Sequence, residues 1–495
     1  MVVVSAPATA VGVERDRLTR SRWLGLAGSA LVAVGGLGAG ALPRPDPLSD
    51  APVLRLLRHG AGPGVCIALA AVGMALLVLA WWRVRPADAP WITRTAALWA
   101  VPLALTPPLF SRDLYIYGAQ GLLLARGYDP YQVGPDAMTS GPGVDWLTSI
   151  SPTWAGTPAP YGPLFLFFSS RIADAAHGNL VVAVFGLRAL AVLGVLALAL
   201  LVPRLATAFG AEPGRAQWLV IANPLVLSVL IAGGHNEALM LPFLAGALLV
   251  AVRAGDRLWV AAAGAGALAG FAVATKVSAV VALPFVVLLV AAARPAAPGW
   301  RWWWHRVQVG AVAGAATVLV VALVCLAAGL DAGFVHALSV TNGMSTQWTS
   351  IPTGWGLAAG WFTTADDTVL DAARALGTLV TAVLLVVLWW RVRHDGPGRI
   401  AGACAAAFLV LAFLGASFHP WYLVWALVPL AAATDAWPRF TRAIAVLSAA
   451  LCFLVLPNGY NLARATEVPG TILDLLLTAA AVGYVSWKAA SHERA

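Results

Sequence analysis

The 495-residue sequence predicts an all-α, polytopic integral membrane protein. Three observations carry the prediction. The chain is 60% hydrophobic and only 11% charged, against roughly 25% charged in a soluble domain. Its apolar residues come in blocks of about 17–25, the length that crosses a hydrocarbon core as a helix. Its basic residues cluster between alternate blocks. Lipid offers no partner to a backbone amide, so each spanning segment must satisfy its own, and helices are the default. The dyad alternation of a membrane β-barrel is absent from the sequence.

The blocks place about fourteen spans, near 23–42, 61–82, 92–110, 180–203, 216–232, 237–253, 258–274, 278–293, 308–329, 370–391, 400–416, 420–434, 441–456 and 471–487. The first follows Arg15, Arg17, Arg20 and Arg22 and is longer than the about 7–15 apolar residues of a signal peptide, so it reads as a retained span. Segment 162–176 is too short and too charged at its end to cross, and reads as a surface or re-entrant helix. The whole of 1–495 reads as one transmembrane domain, with a cytoplasmic tail (1–22) and two long external loops, 111–179 (with short helices) and 330–369. These loops total roughly 110 residues, too few for a sizeable core, and read as caps on the bundle.

Orientation follows from the basic residues, which cytoplasmic loops retain. With the N-terminus inside, the inner loops hold roughly 21 of the 31. Among these are Lys488 and Arg494 of the C-terminal tail. Arg188 lies inside a span. The net charge of +9 is therefore dispersed over short loops, which argues against nucleic-acid binding. Only Lys276 and Lys488 are lysines, and Lys276 falls on the outer side, where positive charge is otherwise avoided. Cys66, Cys325, Cys404 and Cys452 have neither metal-ligand spacing nor a disulfide pattern. No phosphate-loop, dinucleotide or zinc motif appears, so neither cofactor nor metal is expected.

Four polar groups converge on the predicted outer surface. In Ser111-Arg112-Asp113-Leu114-Tyr115-Ile116-Tyr117-Gly118-Ala119-Gln120, a helix would put Asp113, Tyr117 and Gln120 on one face. A carboxylate there suits a base for an acceptor hydroxyl. Equally, Asp113 would cap a surface helix while Arg112 snorkels to headgroups. Gly233-Gly234-His235-Asn236-Glu237 forms a tight apex with three polar side chains, or merely turn chemistry with Glu237 favoured by a helix dipole. Lys276 would hold a lipid-linked phosphate, or snorkel. In His419-Pro420-Trp421-Tyr422, the imidazole would donate to a phosphate and the aromatics stack on a sugar or prenyl chain; alternatively they form an interfacial belt. Gly127-Tyr128-Asp129-Pro130-Tyr131 and Pro158 to Pro163, with Tyr161, stiffen the first loop.

Taken in order, these segments, with Tyr161-Gly162-Pro163-Leu164, Gly234 to Met240, Lys276-Val277-Ser278-Ala279 and His419 to Trp425, resemble the polyprenol-phosphate-mannose-dependent α-1,6-mannosyltransferases of actinobacteria, from about residue 90 to 435. The resemblance implies the GT-C glycosyltransferase fold. It implies inverting transfer of mannose from polyprenyl-phosphate-mannose to an α-1,6-mannan glycolipid, a phosphatidylinositol mannoside or lipomannan, at the extracytoplasmic face of the plasma membrane. It implies Asp113 as catalytic base, Lys276 and His419 with Arg112 as donor-phosphate ligands, and His235, Asn236 and Glu237 as substrate contacts. Tyr117, Gln120, Tyr161, Trp421 and Tyr422 would line the substrate site. Two features depart from the pattern. The catalytic loop follows the third span rather than the first. Asp113 is preceded by Arg112 where many such enzymes carry a second acid, so metal independence is expected. The alternatives are another polyprenyl-phosphate-sugar transferase, such as an arabinosyl one, which donor competition separates; a lipid or sugar transporter, disfavoured because the polar groups sit at span ends rather than at the midplane; and a non-catalytic scaffold.

Overall fold

A computed structural model describes residues 8–294, 298–342 and 344–492; residues 1–7 of the N-terminal tail and Arg494 lie outside them. Every described segment of regular structure is helical, with one isolated bridge between Val455 and Asn461. In chain order the main helices are α1 (Ala8–Ala39), α2 (Gly62–Arg83), α3 (Ala89–Leu105), α4 (Asp113–Ala125), α5 (Pro163–Ala175), α6 (Leu180–Ala208), α7 (Pro213–Val220) and α8 (Pro224–Ala232). Then come α9 (Glu237–Val252), α10 (Leu258–Thr275), α11 (Val277–Ala292), α12 (Trp300–Ala328), α13 (Phe334–Asn342) and α14 (Ile351–Gly360). The last are α15 (Asp366–Val392), α16 (Pro397–Leu414), α17 (Pro420–Ala431), α18 (Pro438–Leu451) and α19 (Glu467–His492).

The polytopic architecture stands, but fewer helices than the fourteen expected spans qualify by length and composition alone. Among the described residues seven helices are long and apolar enough to cross a membrane, or eight if α7 and α8, bent by 43°, form one span. The bend falls at Asn223-Pro224, where proline cannot continue the ladder and the Asn223 side chain accepts from Leu225 N. The other predicted spans are represented by helix, yet most are short. At 1.5 Å per residue, α9 with 16 residues reaches about 24 Å, less than the ~30 Å hydrocarbon core. Such helices can end inside the bundle because neighbouring protein satisfies their ends. An apolar run identifies a buried helix as readily as a crossing one.

One buried apolar cluster runs from Val32 to Val455 and joins both halves of the chain. The α1–α2 crossing depends on small residues: a Cβ on Gly73 would sit 2.5 Å from the Gly28 carbonyl oxygen. Helix α5, predicted as a surface or re-entrant helix, packs against α4, α6, α10 and α12.

Arg188 of α6, 2% exposed, ties the helix ends beneath the polar loops. Its guanidinium donates to the carbonyls of Ala104 and Thr106, at the end of α3, and of Ala232, at the end of α8. A cation suits helix C-termini, where carbonyls lack intrahelical partners. Arg188→Leu would strand three buried carbonyls. A loss of roughly 3 kcal/mol or more is expected, seen as a lowered thermal midpoint in detergent.

Candidate active site

The segment after α3 turns sharply. Phe110 has φ 63°, a left-handed conformation that a bulky side chain rarely adopts, and its N–H is held by the Pro457 carbonyl at 2.9 Å. The turn starts α4 at Asp113. The Ser111 hydroxyl accepts from Asp113 N at 3.0 Å, and the carboxylate sits at the positive end of the helix. From there Asp113, Tyr117 and Gln120 line one cavity of about 490 Å³, as the i, i+4, i+7 spacing anticipates.

Three other elements meet this cavity. The first is the apex between α8 and α9. Gly234 there has φ +64°, and the Leu114 side chain occupies the space a Cβ would need, so any other residue would be strained and would have to displace Leu114. The turn puts His235 Nδ1 at 3.3 Å from Asp113 Oδ2 and 3.5 Å from the Tyr117 hydroxyl. The second is the α10–α11 junction, where Lys276 Nζ lies 2.5 Å from Glu237 Oε1. Trp425 Nε1 donates to the same oxygen at 3.2 Å. The ammonium also stands 5.1 Å over the Tyr422 ring and 5.4 Å over Trp425. The third is the start of α17. Trp421 stacks with His235 at 4.1 Å and with His419 at 4.5 Å, so an aromatic plane links the two imidazoles.

The predicted residues divide into two groups. Asp113, Tyr117, Gln120, Tyr161, Lys276, His419, Trp421 and Tyr422 line the cavity. His235, Asn236 and Glu237 are fully buried behind it; His235 reaches it through Asp113 and Glu237 through Lys276, while the Asn236 amide has no hydrogen-bond partner among the described residues. Arg112 lines the cavity, but its Nη1 and Nη2 donate to the carbonyls of Leu42 and Ser149. That guanidinium anchors α4 to the loop after α1. Sequence reasoning missed a further wall from the distal loops: Gln347 and Asn461, hydrogen-bonded to each other at 2.8 Å, and the exposed Arg464. No motif marks them. The apolar side is formed by Val277, Val280, Val281, Leu338 and Leu411, and Val280, 45% exposed, carries that side to the surface of the bundle.

The electrostatics separate charge from hydrogen bonding. Burial would raise the Asp113 carboxyl, but the His235 hydrogen bond and charge, with Ser111 and His419, outweigh it and bring it down to about 2. Asp113 is therefore an anion throughout the neutral range. Burial takes His419 down to about 4, against the pull of Asp113 and with help from Lys276 and His235, so this imidazole is neutral at physiological pH. Burial also opposes the Lys276 ammonium, yet Glu237, Tyr422 and Asp113 together hold it above its ordinary value. Among the described residues no group of three His, Cys, Asp or Glu lies close enough to hold a metal ion.

A pH dependence of stability follows. The folded value of His419 lies below its ordinary 6.5. Its contribution is whole above about pH 6.5 and is lost as the pH falls from there toward 4. Asp113, depressed from 3.8 to about 2, adds a loss only below its unfolded value. Thermal melting of the detergent-solubilised protein should show a smaller decline between pH 7 and 4.5 for His419→Gln than for the native chain; parallel declines would refute the assignment.

Comparison with known proteins decides the family. The model described as "Alpha-(1->6)-mannopyranosyltransferase, N-terminal domain" matches residues 22–292, more than half of the chain, and that of the "MptB C-terminal domain" matches 348–485. The chain belongs to the α-(1→6)-mannopyranosyltransferase family. The enzyme is 34% identical to α-(1→6)-mannopyranosyltransferase A of Mycobacterium tuberculosis over 459 residues, covering 88% of this chain and 84% of the relative. It is 32% identical to α-(1→6)-mannopyranosyltransferase B of Corynebacterium glutamicum, covering 92% and 80%. No solved structure matches. This α-(1→6)-mannosyltransferase is therefore a multi-pass helical bundle, and the polar cavity is its candidate site.

Proposed function

We propose that the enzyme transfers mannose from polyprenyl-phosphate-mannose to an α-1,6-mannan glycolipid, a phosphatidylinositol mannoside or lipomannan, with inversion at the anomeric carbon. The acceptor 6-hydroxyl attacks C1 of the β-linked donor from the face opposite the phosphate. The new C–O bond forms as the C1–O bond to phosphate breaks. The hydroxyl proton passes to the Asp113 carboxylate, and the bonding pair leaves with the polyprenyl phosphate. Lys276 offsets the charge that develops there and neutral His419 donates a hydrogen bond to it. The apolar wall from Val277 to Val281 suits a prenyl chain, and Trp421, Tyr422 and Tyr161 offer faces to the sugars. His235 and Glu237 act by positioning Asp113 and Lys276 rather than by touching substrate. The distribution of basic residues favours the extracytoplasmic side for this cavity, in the plasma membrane, and the transfer is read as independent of metal.

The observation that carries this reading is one cavity holding an ionised carboxylate, hydrogen-bonded to a buried imidazole, together with an ammonium and an apolar wall. Membrane vesicles supplied with polyprenyl-phosphate-mannose and a short α-1,6-mannoside test it. Chain extension by one α-linked mannose is expected, at an unchanged rate in chelator. Turnover should be level from about pH 5 to 8 as far as Asp113 and His419 govern it. An impermeant acceptor should be used by right-side-out vesicles only. Transfer from polyprenyl-phosphate-arabinose in preference to mannose would overturn the donor assignment.

A further inference from the structure

A second cavity, of about 560 Å³, lies at the other ends of helices that build the first. Helix α11 gives Val277 and Val281 to the active cavity and Leu288 and Ala292 to this one. Helix α16 gives Leu411 to one and Ile400 to the other. Helix α12, with 29 residues about 43 Å long, begins in the second cavity and ends beside α13, whose Leu338 and Thr341 line the first. The two cavities therefore face opposite surfaces of the bundle.

The second cavity is built of tryptophan and arginine. Trp303 stacks with Trp390 at 5.6 Å and meets Trp302 edge-on at 4.7 Å. The Arg306 guanidinium lies 3.5 Å from the Trp302 ring and that of Arg393 lies 3.9 Å from Trp390. Among the described residues neither arginine pairs with a carboxylate, and Arg306 Nε is buried with no hydrogen-bond partner. The lining carboxylate, Asp395, is engaged by Arg399 at 3.7 Å. The His394 ring sits 4.6 Å from Trp302. Around this pocket Trp300, Trp304 and Trp390 are 71%, 54% and 47% exposed, as befits a belt at the lipid–water boundary.

We propose that this cavity binds the phosphodiester headgroup of an anionic phospholipid, from the leaflet opposite the active cavity, between Arg306 and Arg393. Guanidinium donors match phosphate oxygens, and basic pockets between spanning helices suit anionic headgroups. A soluble phosphate would satisfy the arginines but leave the tryptophan rim unused, whereas a lipid places its glycerol and acyl carbons against Trp303, Trp390 and Leu288. The reading is independent of the sugar-transfer chemistry.

Native mass spectrometry of the full chain, with phosphatidylglycerol and phosphatidylcholine at equal concentration, tests it. Preferential retention of phosphatidylglycerol is expected, and the Arg306→Gln/Arg393→Gln double variant should weaken it by roughly tenfold while mannosyl transfer at saturating donor persists. A second measurement needs no variant: brominated phosphatidylglycerol should quench tryptophan fluorescence more than brominated phosphatidylcholine. Equal retention and equal quenching of the two lipids would overturn the proposal, as would undiminished preference in the double variant. Displacement of the lipid by millimolar inorganic phosphate would overturn the lipid as occupant and reassign the pocket to a free anion.

Discussion

Asp113→Asn is expected to lower kcat by roughly a hundred- to ten-thousand-fold, with KM for donor and acceptor within about twofold of the native values. The substitution is nearly isosteric. An amide oxygen can still accept from His235 and keep the approach of the imidazole at about its present 3.3 Å. What it lacks is the capacity to take a proton. The anion at this position is also what the surroundings are built for: the His235 hydrogen bond and the Ser111 hydroxyl overcome burial and keep the carboxyl at about 2. So low a value makes Asp113 a weak base toward an unactivated hydroxyl. It becomes effective as the new C–O bond forms and the hydroxyl turns acidic, which places proton transfer late in the reaction. The residual rate of the variant would come from positioning and from charge stabilisation at the phosphate. Purified enzyme in nanodiscs, with its thermal midpoint recorded alongside, separates chemistry from folding. A folded Asp113→Asn enzyme with native turnover would remove Asp113 as the base and with it the mechanism.

Much of this arrangement was legible along the chain. Apolar blocks mark where helices lie because lipid and core impose the same requirement on the backbone, which is also why they do not by themselves fix how many helices cross. The 113, 117, 120 spacing is a property of one helix and survives folding unchanged. The scarcity of lysine singled out Lys276. Other features depend on what the fold brings alongside. Arg112 is adjacent to Asp113, yet neighbours in a helix diverge, and its guanidinium turns to the Leu42 and Ser149 carbonyls. His235 and Glu237, substrate contacts by the family resemblance, sit at an apex that Gly234 folds inward behind Asp113 and Lys276. Gln347 and Asn461 meet across more than a hundred residues of sequence, a pairing no local pattern encodes. The left-handed Phe110 is equally hidden, since its conformation is held from Pro457.

The Lys276–Glu237 pair should dissociate stability from catalysis. Glu237 is wholly buried and Lys276 14% exposed, with 2.5 Å between Nζ and Oε1. Removing either partner leaves a buried charge uncompensated. Lys276→Gln and Glu237→Gln are each expected to destabilise by roughly 3–5 kcal/mol. In the Lys276→Gln/Glu237→Gln double variant both charges are gone, and two amides with Trp425 Nε1 beside them can share hydrogen bonds. Stability should return to within about 1–2 kcal/mol of native, because a neutral replacement for a buried ion pair is often nearly neutral in energy. Turnover should not return. The ammonium that offsets the departing phosphate is missing, at a cost in kcat of roughly a hundred- to a thousand-fold, as for loss of one electrostatic stabiliser. Glu237→Gln alone should behave differently from Lys276→Gln in kinetics. It keeps the ammonium over the Tyr422 and Trp425 rings and frees it from its carboxylate, so donor binding should tighten even as the protein weakens. Thermal melting and steady-state rates on the native enzyme and the three variants supply the cycle. A double variant that regained both stability and full turnover would show that Lys276 serves only to balance Glu237, and another cation, Arg464 among them, would have to receive the phosphate.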